Sequence, residues 1–181
     1  MARGDDEFAE FARASSARLQ HVAYLLTGNR QDAEDAAQTA LIRTYAAWRR
    51  IRERDAYSYA RTVLTNLVID KWRRPFREYA TEELPDQPGK RDLADDVAQR
   101  RWLVAALGTL APRERAVIVL RHYLDVSEAE VASELNLSVG TVKSLNSRGL
   151  AKLRVTAATI PAQREQTGPA QREQTETGAW R

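Results

Sequence analysis

Apolar residues recur every three to four positions along most of this chain, and no segment keeps the alternation of a half-buried β-strand for long. This spacing places apolar side chains on one face of an α-helix. Glycine and proline separate the periodic segments, as is typical of helix ends and helix starts. We therefore expect an all-α chain built from two small helical domains that are joined by a flexible acidic linker.

The first domain is predicted within residues 1–75. Gly28 is the expected C-terminal stop of its first helix, Asp55 a plausible N-cap and Pro75 the end of its last helix. Tyr59 is expected in its core. The three helices are predicted to run from Phe8 to Thr27, from Gln31 to Trp48 and from Asp55 to Arg74.

Residues 76–92 interrupt the helical pattern, because prolines and a glycine lie there among acidic and polar residues. Such a composition predicts an interdomain linker. Residues 93–155 are predicted to form the second domain. Its helices are expected from Ala94 to Leu107, from Pro112 to Tyr123, from Ser127 to Leu135 and from Val139 to Arg154. Residues 156–181 hold two copies of an octapeptide with almost no apolar residue, which indicates a disordered tail.

Charge is strongly segregated, although the formal net charge is only +3. Residues 43–77 carry 10 basic and 3 acidic side chains, and residues 139–154 carry 4 basic and no acidic ones. Residues 78–98, between these blocks, carry 7 acidic and 2 basic side chains. Two basic blocks on one chain favour two separate contacts with nucleic acid.

Composition argues against most enzyme classes. The chain has no cysteine and only two histidines, so thiol catalysis and thiolate metal sites are excluded and a zinc site is disfavoured. Glycine-rich phosphate loops, HExxH and nucleophile elbows are absent from the sequence. We expect no enzymatic activity, metal, cofactor or small-molecule substrate. No apolar run approaches the roughly 20 residues of a membrane span, and no apolar secretion signal begins the chain, so a cytoplasmic protein without membrane insertion is expected.

The stretch from Ser127 to Arg154 reads as helix, short turn and basic helix, which is the pattern of a helix-turn-helix. A capping box at Ser127 to Glu130 starts the first of these helices. The residues with the spacing to pack the elbow are Val131, Ala132, Leu135, Leu137 and Val142. Arginine can pair with guanine, and short hydroxyl side chains with phosphates or base edges. The candidate contacts with duplex DNA are Ser138, Thr141, Lys143, Ser144, Ser147 and Arg148. An ordinary helical bundle is the alternative for this stretch.

These motifs resemble a known family. Residues 140–144, GTVKS, followed by Arg148 and preceded by PRERAV at 112–117, look like the C-terminal domain of bacterial sigma factors. DAEDAAQ at 32–38 resembles the helix with which that family binds core polymerase. Tyr59 through Asn66 to Asp70, with WRR at 72–74, resembles its promoter-melting helix. The two-domain form resembles the extracytoplasmic-function (ECF) group, and within it the sigma-E-like subgroup of actinobacteria.

The resemblance implies a sigma factor that binds core RNA polymerase and directs transcription initiation. Residues 1–75 would open the −10 element and residues 93–155 would read the −35 element as duplex. The implied −10 contacts are Arg49, Arg50, Arg52, Arg54, Arg61, Thr62, Asn66, Lys71, Trp72, Arg73 and Arg74. The implied polymerase contacts are Asp32, Glu34, Asp35, Gln38 and Leu41. Implied partners are the β′ clamp helices and β flap of core polymerase, promoter DNA and, for many members, an anti-sigma protein.

Several points stay open at the level of sequence. Asn66 either reads a base edge or braces the neighbouring loop as a buried side chain. Leu145 either touches a thymine methyl group or packs inward. Asn146 and Gly149 depart from the family pattern, and glycine costs a helix about 1 kcal/mol relative to alanine. The alternative function is a dimeric helix-turn-helix repressor or activator; a protein-binding adaptor is a third, and neither explains the basic block at residues 43–77.

Overall fold

The computed structural model describes residues 4–73 and 92–159 of the chain. In these two stretches the regular elements are all helical, which confirms the all-α class. The α-helices are α1 (Asp5–Thr27), α2 (Arg30–Ala47), α3 (Ala56–Arg73), α4 (Asp92–Gly108), α5 (Pro112–Ile118), α6 (Glu128–Glu134) and α7 (Val139–Thr159). Two short 3-10 turns, Trp48–Arg50 and Glu53–Asp55, lie between α2 and α3, and a π-helical turn over Val119–Tyr123 continues α5.

Helix ends follow the local sequence. Gly28 adopts a left-handed conformation, φ 72°, and its N–H donates to the Tyr24 carbonyl at 2.8 Å, which ends α1 as predicted. The capping box before α6 is confirmed, because Ser127 Oγ accepts from the Glu130 N–H while Glu130 accepts from the Ser127 N–H. Ser138 Oγ likewise accepts from the Thr141 N–H, at 3.1 Å, at the start of α7.

Some boundaries differ from the prediction. α1 begins three residues early, since acidic side chains in its first turn suit the positive end of the helix dipole. α7 continues past Arg154 to Thr159, so residues 156–159, predicted as the start of the disordered tail, are helical. Of the predicted linker 76–92, only Asp92 is described, and it belongs to α4. The rest of the linker and the tail repeat lie outside the described residues, so those predictions stay predictions.

The N-terminal domain comprises α1, α2 and α3. Its core is formed by large aliphatic side chains from α1 and α3 and by alanines from α2, which let the helices approach closely. The fully buried members include Leu19, Val22, Leu26, Ala33, Ala37, Ala40, Ala60 and Leu64. The prediction that Tyr59 belongs to this core was wrong, because its side chain is 38% exposed. Ala60, Leu64 and Val68 form the buried stripe of α3, and Tyr59 lies one residue, or about 100°, away from it.

The C-terminal domain comprises α4 to α7. Val131, Leu135 and Val142 are buried at the elbow between α6 and α7, as the sequence predicts for a helix-turn-helix. Its α5 contacts both α7 and the N-terminal domain, and α4 contacts α1. Within the two described stretches, no helix combines the length and apolarity that a membrane span requires.

Candidate nucleic-acid interface

Helix α7 presents the residues predicted to contact duplex DNA. Val142, Leu145 and Gly149 are buried, and their spacing of three and four residues defines the inner face of the helix. The outer face and the N-terminal turn carry the six predicted contacts, all of which are exposed: Ser138, Thr141, Lys143, Ser144, Ser147 and Arg148. The structure therefore brings these six side chains together on one accessible surface, where the Glu128 carboxylate of α6 lies 3.7 Å from Lys143 Nζ.

Leu145 lies on the inner face, although the sequence left open whether it contacts DNA or packs inward. Its side chain is only 7% exposed and belongs to the hydrophobic core. Leu145 therefore packs inward, and the outer surface of α7 is polar around Ser144 and Ser147.

The two residues that depart from the family pattern both serve packing inside the C-terminal domain. The Asn146 side-chain oxygen lies 2.8 Å from Nε2 of His122, which links α7 to the π-helical turn. A Cβ added at Gly149 would lie 2.8 Å from Cγ1 of Ile118, so glycine permits the close approach of α5 and α7. Asn146 and Gly149 thus have structural partners that sequence spacing did not reveal.

A buried carboxylate organises the basic side chains of α7. Glu114 of α5 is 4% exposed and accepts from Lys152 Nζ at 2.7 Å and from the Ala111 N–H at 3.2 Å. The hydrogen bond from Lys152 lowers the pKa of Glu114 below its usual value, against the opposing effect of burial. Arg148 lies 3.9 Å from the same carboxylate but keeps 62% of its side chain exposed. Arg148 therefore remains accessible to a ligand.

A second basic surface surrounds the two 3-10 turns between α2 and α3. Four predicted −10 contacts lie there with exposed side chains, namely Arg49, Arg50, Arg52 and Arg54. Trp48 is only 3% exposed and anchors this segment, because its ring packs 5.2 Å from Phe8 and 5.1 Å from Phe11. The segment is thus held by an aromatic cluster while its arginines face outward.

Three further predicted −10 contacts, all on α3, face the C-terminal domain. Arg61 pairs with the Glu134 carboxylate, with Nε to Oε1 at 3.0 Å, and the two side chains are 11% and 7% exposed. The Asn66 amide donates to the Glu134 carbonyl oxygen at 3.2 Å. Trp72 lies under the guanidinium of Arg115, whose Cζ is 4.9 Å from the ring centre. The structure brings these three together at an interdomain contact rather than on an open surface.

The remaining predicted −10 contacts are Thr62, Lys71, Arg73 and Arg74. Thr62 is half-buried, and its hydroxyl donates to the Ser58 carbonyl at 2.9 Å. Lys71 donates to Asp32 at 2.6 Å, so a predicted DNA contact and a predicted polymerase contact are ion-paired across α3 and α2. Nothing is described of the Arg73 side chain, and Arg74 lies outside the described residues.

The predicted polymerase contacts lie on α2. Glu34 pairs with Arg30 at 3.0 Å, Asp35 accepts from Gln31 at 3.2 Å, and Gln38 is exposed. Leu41 packs against the core, whereas its neighbour Ile42 is 62% exposed. Ile42 and Tyr45, which is 48% exposed, form an apolar surface on the same helix. The polymerase contacts implied by the resemblance include Leu41 but neither Ile42 nor Tyr45.

Two family models match the chain. Sigma-70 region 2 matches residues 11–77, which covers the N-terminal domain from Phe11 onward. Sigma-70 region 4 matches residues 100–153, which covers most of the C-terminal domain and the helix-turn-helix as far as Leu153.

Similar proteins are named as RNA polymerase sigma factors. The RNA polymerase sigma-E factor of Streptomyces coelicolor is 42% identical over 150 residues, which span 82% of this chain and 84% of that protein. The ECF RNA polymerase sigma factor SigL of Mycobacterium tuberculosis is 34% identical over 156 residues, which span 82% of this chain and 88% of the relative.

Among solved structures, the fold resembles the sigma factor RpoE of Bartonella quintana, determined in complex with the anti-sigma factor NepR. The TM-score is 0.65 at 21% identity, and the match covers 84% of this chain and 98% of that one. This likeness supports the arrangement of helices.

Proposed function

This chain belongs to the sigma-70 family of RNA polymerase sigma factors, and from that premise we propose how its two domains divide promoter recognition. It is an ECF-type transcription initiation factor that binds core RNA polymerase. Residues 93–155 read the −35 element as duplex, and residues 1–75 bind and open the −10 element. Its contribution is binding and positioning rather than chemistry of its own.

The observation that carries this proposal is the surface of α7. Six exposed side chains with hydroxyl, ammonium or guanidinium groups lie on one face, and residues 139–154 contain no acidic side chain. An α-helix fits the major groove, where arginine and short hydroxyl side chains pair with base edges and phosphates. The first turn of α7 also offers backbone N–H groups to a phosphate.

The arginines around the 3-10 turns support the −10 role. Arg49, Arg50, Arg52 and Arg54 are exposed on a segment that Trp48 anchors. Cationic side chains on a fixed loop suit the backbone of a single strand, whose bases unstack as the duplex opens. The proposal assigns Arg61, Asn66 and Trp72 to the same strand, beside these four arginines.

The exposed face of α2 suits a protein partner. Gln38 and Ile42 lie four residues apart, so they share one helix face, and Tyr45 follows three residues after Ile42. An apolar patch with acidic and amide neighbours is typical of the core and rim of a protein interface. We assign this face to the β′ clamp helices of core polymerase and the C-terminal domain to the β flap.

A regulatory partner follows from the structural neighbours. The Bartonella quintana sigma factor was solved with an anti-sigma factor, and CnrH, another neighbour at a TM-score of 0.60, was solved with the cytosolic domain of CnrY. We extend this class of partner to the present chain. Co-expression of the chain with proteins encoded beside its gene, followed by size-exclusion chromatography, would find such a complex.

Run-off transcription tests the proposed function directly. Purified core polymerase is supplied with sheared DNA from the source organism, with and without this protein. Discrete transcripts only in its presence are expected, and their aligned start sites give both promoter elements. No transcripts, together with binding of duplex DNA by a dimer of this protein alone, would instead support a helix-turn-helix repressor or activator.

A matched pair of variants on α7 sharpens the test. Arg148→Ala removes a side chain from the proposed groove-facing surface, whereas Arg154→Ala removes the same charge from an exposed position further along the helix. Losing one arginine that contacts a base or phosphate costs about 1–3 kcal/mol. Arg148→Ala should therefore weaken transcription from the mapped promoters at least severalfold, with Arg154→Ala close to wild type. Equal effects would contradict the assignment of the surface.

A further inference from the structure

Glu114 of α5 is a buried carboxylate that two basic side chains of α7 share. Its side chain is 5% exposed. Its Oε2 accepts from Lys152 Nζ at 2.7 Å and from the Ala111 N–H at 3.2 Å. Its Oε1 lies 3.9 Å from Nε of Arg148. Arg148 and Lys152 are four residues apart in one helix, so both stand on the side of α7 that faces α5.

The contact with Glu114 restrains Arg148 and leaves its hydrogen-bonding groups available. At 3.9 Å the two side chains form an ion pair rather than a hydrogen bond. The Arg148 side chain is 62% exposed. A guanidinium presents a planar fork of N–H donors that matches the acceptor edge of guanine or a phosphate. Arg148 is therefore oriented from one side by Glu114 while its fork faces solvent.

Gly149 allows α5 to approach closely enough for this contact. A Cβ at this position would lie 3.8 Å from Cβ of Glu114 and 2.8 Å from Cγ1 of Ile118. The backbone that follows Arg148 therefore packs directly against the residue that pairs with Arg148. The departure from the family pattern at Gly149 thus places Glu114 beside a predicted DNA contact.

Glu114 also offsets positive charge on the α7 surface. Residues 139–154 hold four basic side chains and no acidic one, and two of the four lie beside Glu114. Positive charge strengthens binding to any duplex, because phosphates carry no sequence information. Discrimination between bases instead requires a side chain that is held in the orientation of a base edge. A buried carboxylate beside Arg148 reduces the first effect and supports the second.

We propose that Glu114 is a positioning residue for recognition of the −35 element and that it acts through Arg148. It orients the guanidinium toward one base pair and offsets charge that would strengthen binding to unrelated duplex. This inference rests on the proposed −35 role of α7. Removing the charge of Glu114 then weakens sequence discrimination without weakening attachment to DNA in general.

Competition between two promoters in one reaction measures this discrimination. The full-length chain and core polymerase transcribe equal amounts of a promoter mapped by run-off transcription and of a copy with one −35 base pair replaced. The ratio of the two transcripts does not depend on the fraction of folded protein, because both templates meet the same polymerase. Repeating the competition at each −35 base pair with Arg148→Ala identifies the base pair that Arg148 reads.

Glu114→Gln keeps the shape and an acceptor oxygen of the side chain and removes its charge. At the base pair that Arg148 reads, this variant should lower the transcript ratio at least about fivefold, the lower end of what a bidentate base contact contributes. Ratios at the other −35 base pairs should match those of wild type. A general displacement of α7 would lower the ratios along the whole element, and that result would overturn the inference.

A double variant tests whether Glu114 acts through Arg148. In a protein that already carries Arg148→Ala, Glu114→Gln should not lower the ratio further, because the side chain that it positions is gone. An additional loss of the same size in the double variant would contradict action through Arg148.

A charge-matched control and a second assay accompany this comparison. Asp125→Asn makes the same charge change at an exposed residue of the same domain, and its left-handed backbone, φ 52°, suits asparagine equally well. All its transcript ratios should equal those of wild type. Fluorescence anisotropy with a labelled duplex of unrelated sequence should show binding by Glu114→Gln at least as tight as by wild type. Weaker binding to this duplex would overturn the proposed effect on charge.

The outcomes separate this inference from the proposed function. An absence of transcripts with wild-type protein and core polymerase would refute the proposed function. Transcription with equal ratios in Glu114→Gln and wild type at every −35 base pair would overturn only the role of Glu114. An Arg148→Ala variant that changes the ratio at no base pair would overturn that role as well, since Glu114 would then have no base contact to position.

Discussion

Gly149 gives the sharpest test of how the helix-turn-helix domain packs. Alanine at this position would place its Cβ 2.8 Å from Cγ1 and 3.1 Å from Cδ1 of Ile118, a side chain that is itself 5% exposed. Gly140, in the first turn of the same helix, is a matched control. A Cβ there would meet only Ser138 Oγ, at an ordinary 3.8 Å.

Two opposing terms decide the outcome. Replacing glycine by alanine in a helix stabilises it by up to about 1 kcal/mol. Forcing an additional methyl group into a packed core costs about 1–3 kcal/mol. At Gly140 only the first term applies, so Gly140→Ala should raise the free energy of unfolding. At Gly149 the overpacking term exceeds the helix term, and we expect a net loss of about 1 kcal/mol.

Thermal unfolding followed by circular dichroism at 222 nm measures both variants. A change of 1 kcal/mol shifts Tm by about 4–8 °C in a domain of this size. Gly149→Ala should lower Tm, and Gly140→Ala should leave it unchanged or raise it. A Tm increase in Gly149→Ala as large as that in Gly140→Ala would refute the reasoning, because it would show that α5 and α7 do not need glycine to approach.

Three other predictions concern the C-terminal domain. Ser127→Ala removes the N-cap acceptor of the Glu130 N–H and should cost about 1 kcal/mol, seen as a lower Tm; an unchanged Tm would contradict it. The pKa of Glu114 is lowered in the folded protein, so its contribution is present above its usual pKa and is lost as pH falls through the folded value. The stability advantage of wild type over Glu114→Gln in urea should therefore shrink below about pH 4.5, and an advantage independent of pH would count against the ion pair with Lys152. Lys143→Ala should reduce the slope of log K against log salt for −35 duplex binding by about one, with an unchanged slope as the opposing result.

Much of the fold could be predicted because its signals are local. Gly28, Ser127 and Ser138 end or begin helices through hydrogen bonds to residues three or four positions away, so short sequence windows contain the whole motif. The burial of Val131 and Val142 follows from helical periodicity in the same way. The exposed basic face of α7 was equally predictable. Residues 139–154 contain no acidic side chain, and helical periodicity separates their buried positions from their exposed ones.

Other features depend on which helix lies opposite. The sequence shows Leu145 and Gly149 on α7, but only the position of α5 and α6 decides that the leucine packs inward and that the glycine admits Ile118. Tyr59 was misplaced for a related reason. Tyrosine is apolar enough to fit a core pattern, and only the packing of α3 assigns the buried stripe to Ala60 and Leu64.

The sequence by itself determined that the chain is helical, where most of its helices end, and that its basic side chains are concentrated in two separate blocks. Those properties come from hydrogen bonds and spacings within a few residues. The tertiary structure alone decided which polar groups are open and which are covered. Arg61 and Glu134 lie 73 positions apart in the sequence. A buried ion pair between them forms only once both domains have folded and packed together. For that reason the charge pattern identifies Arg61 as basic, and only the three-dimensional arrangement shows that Glu134 holds it.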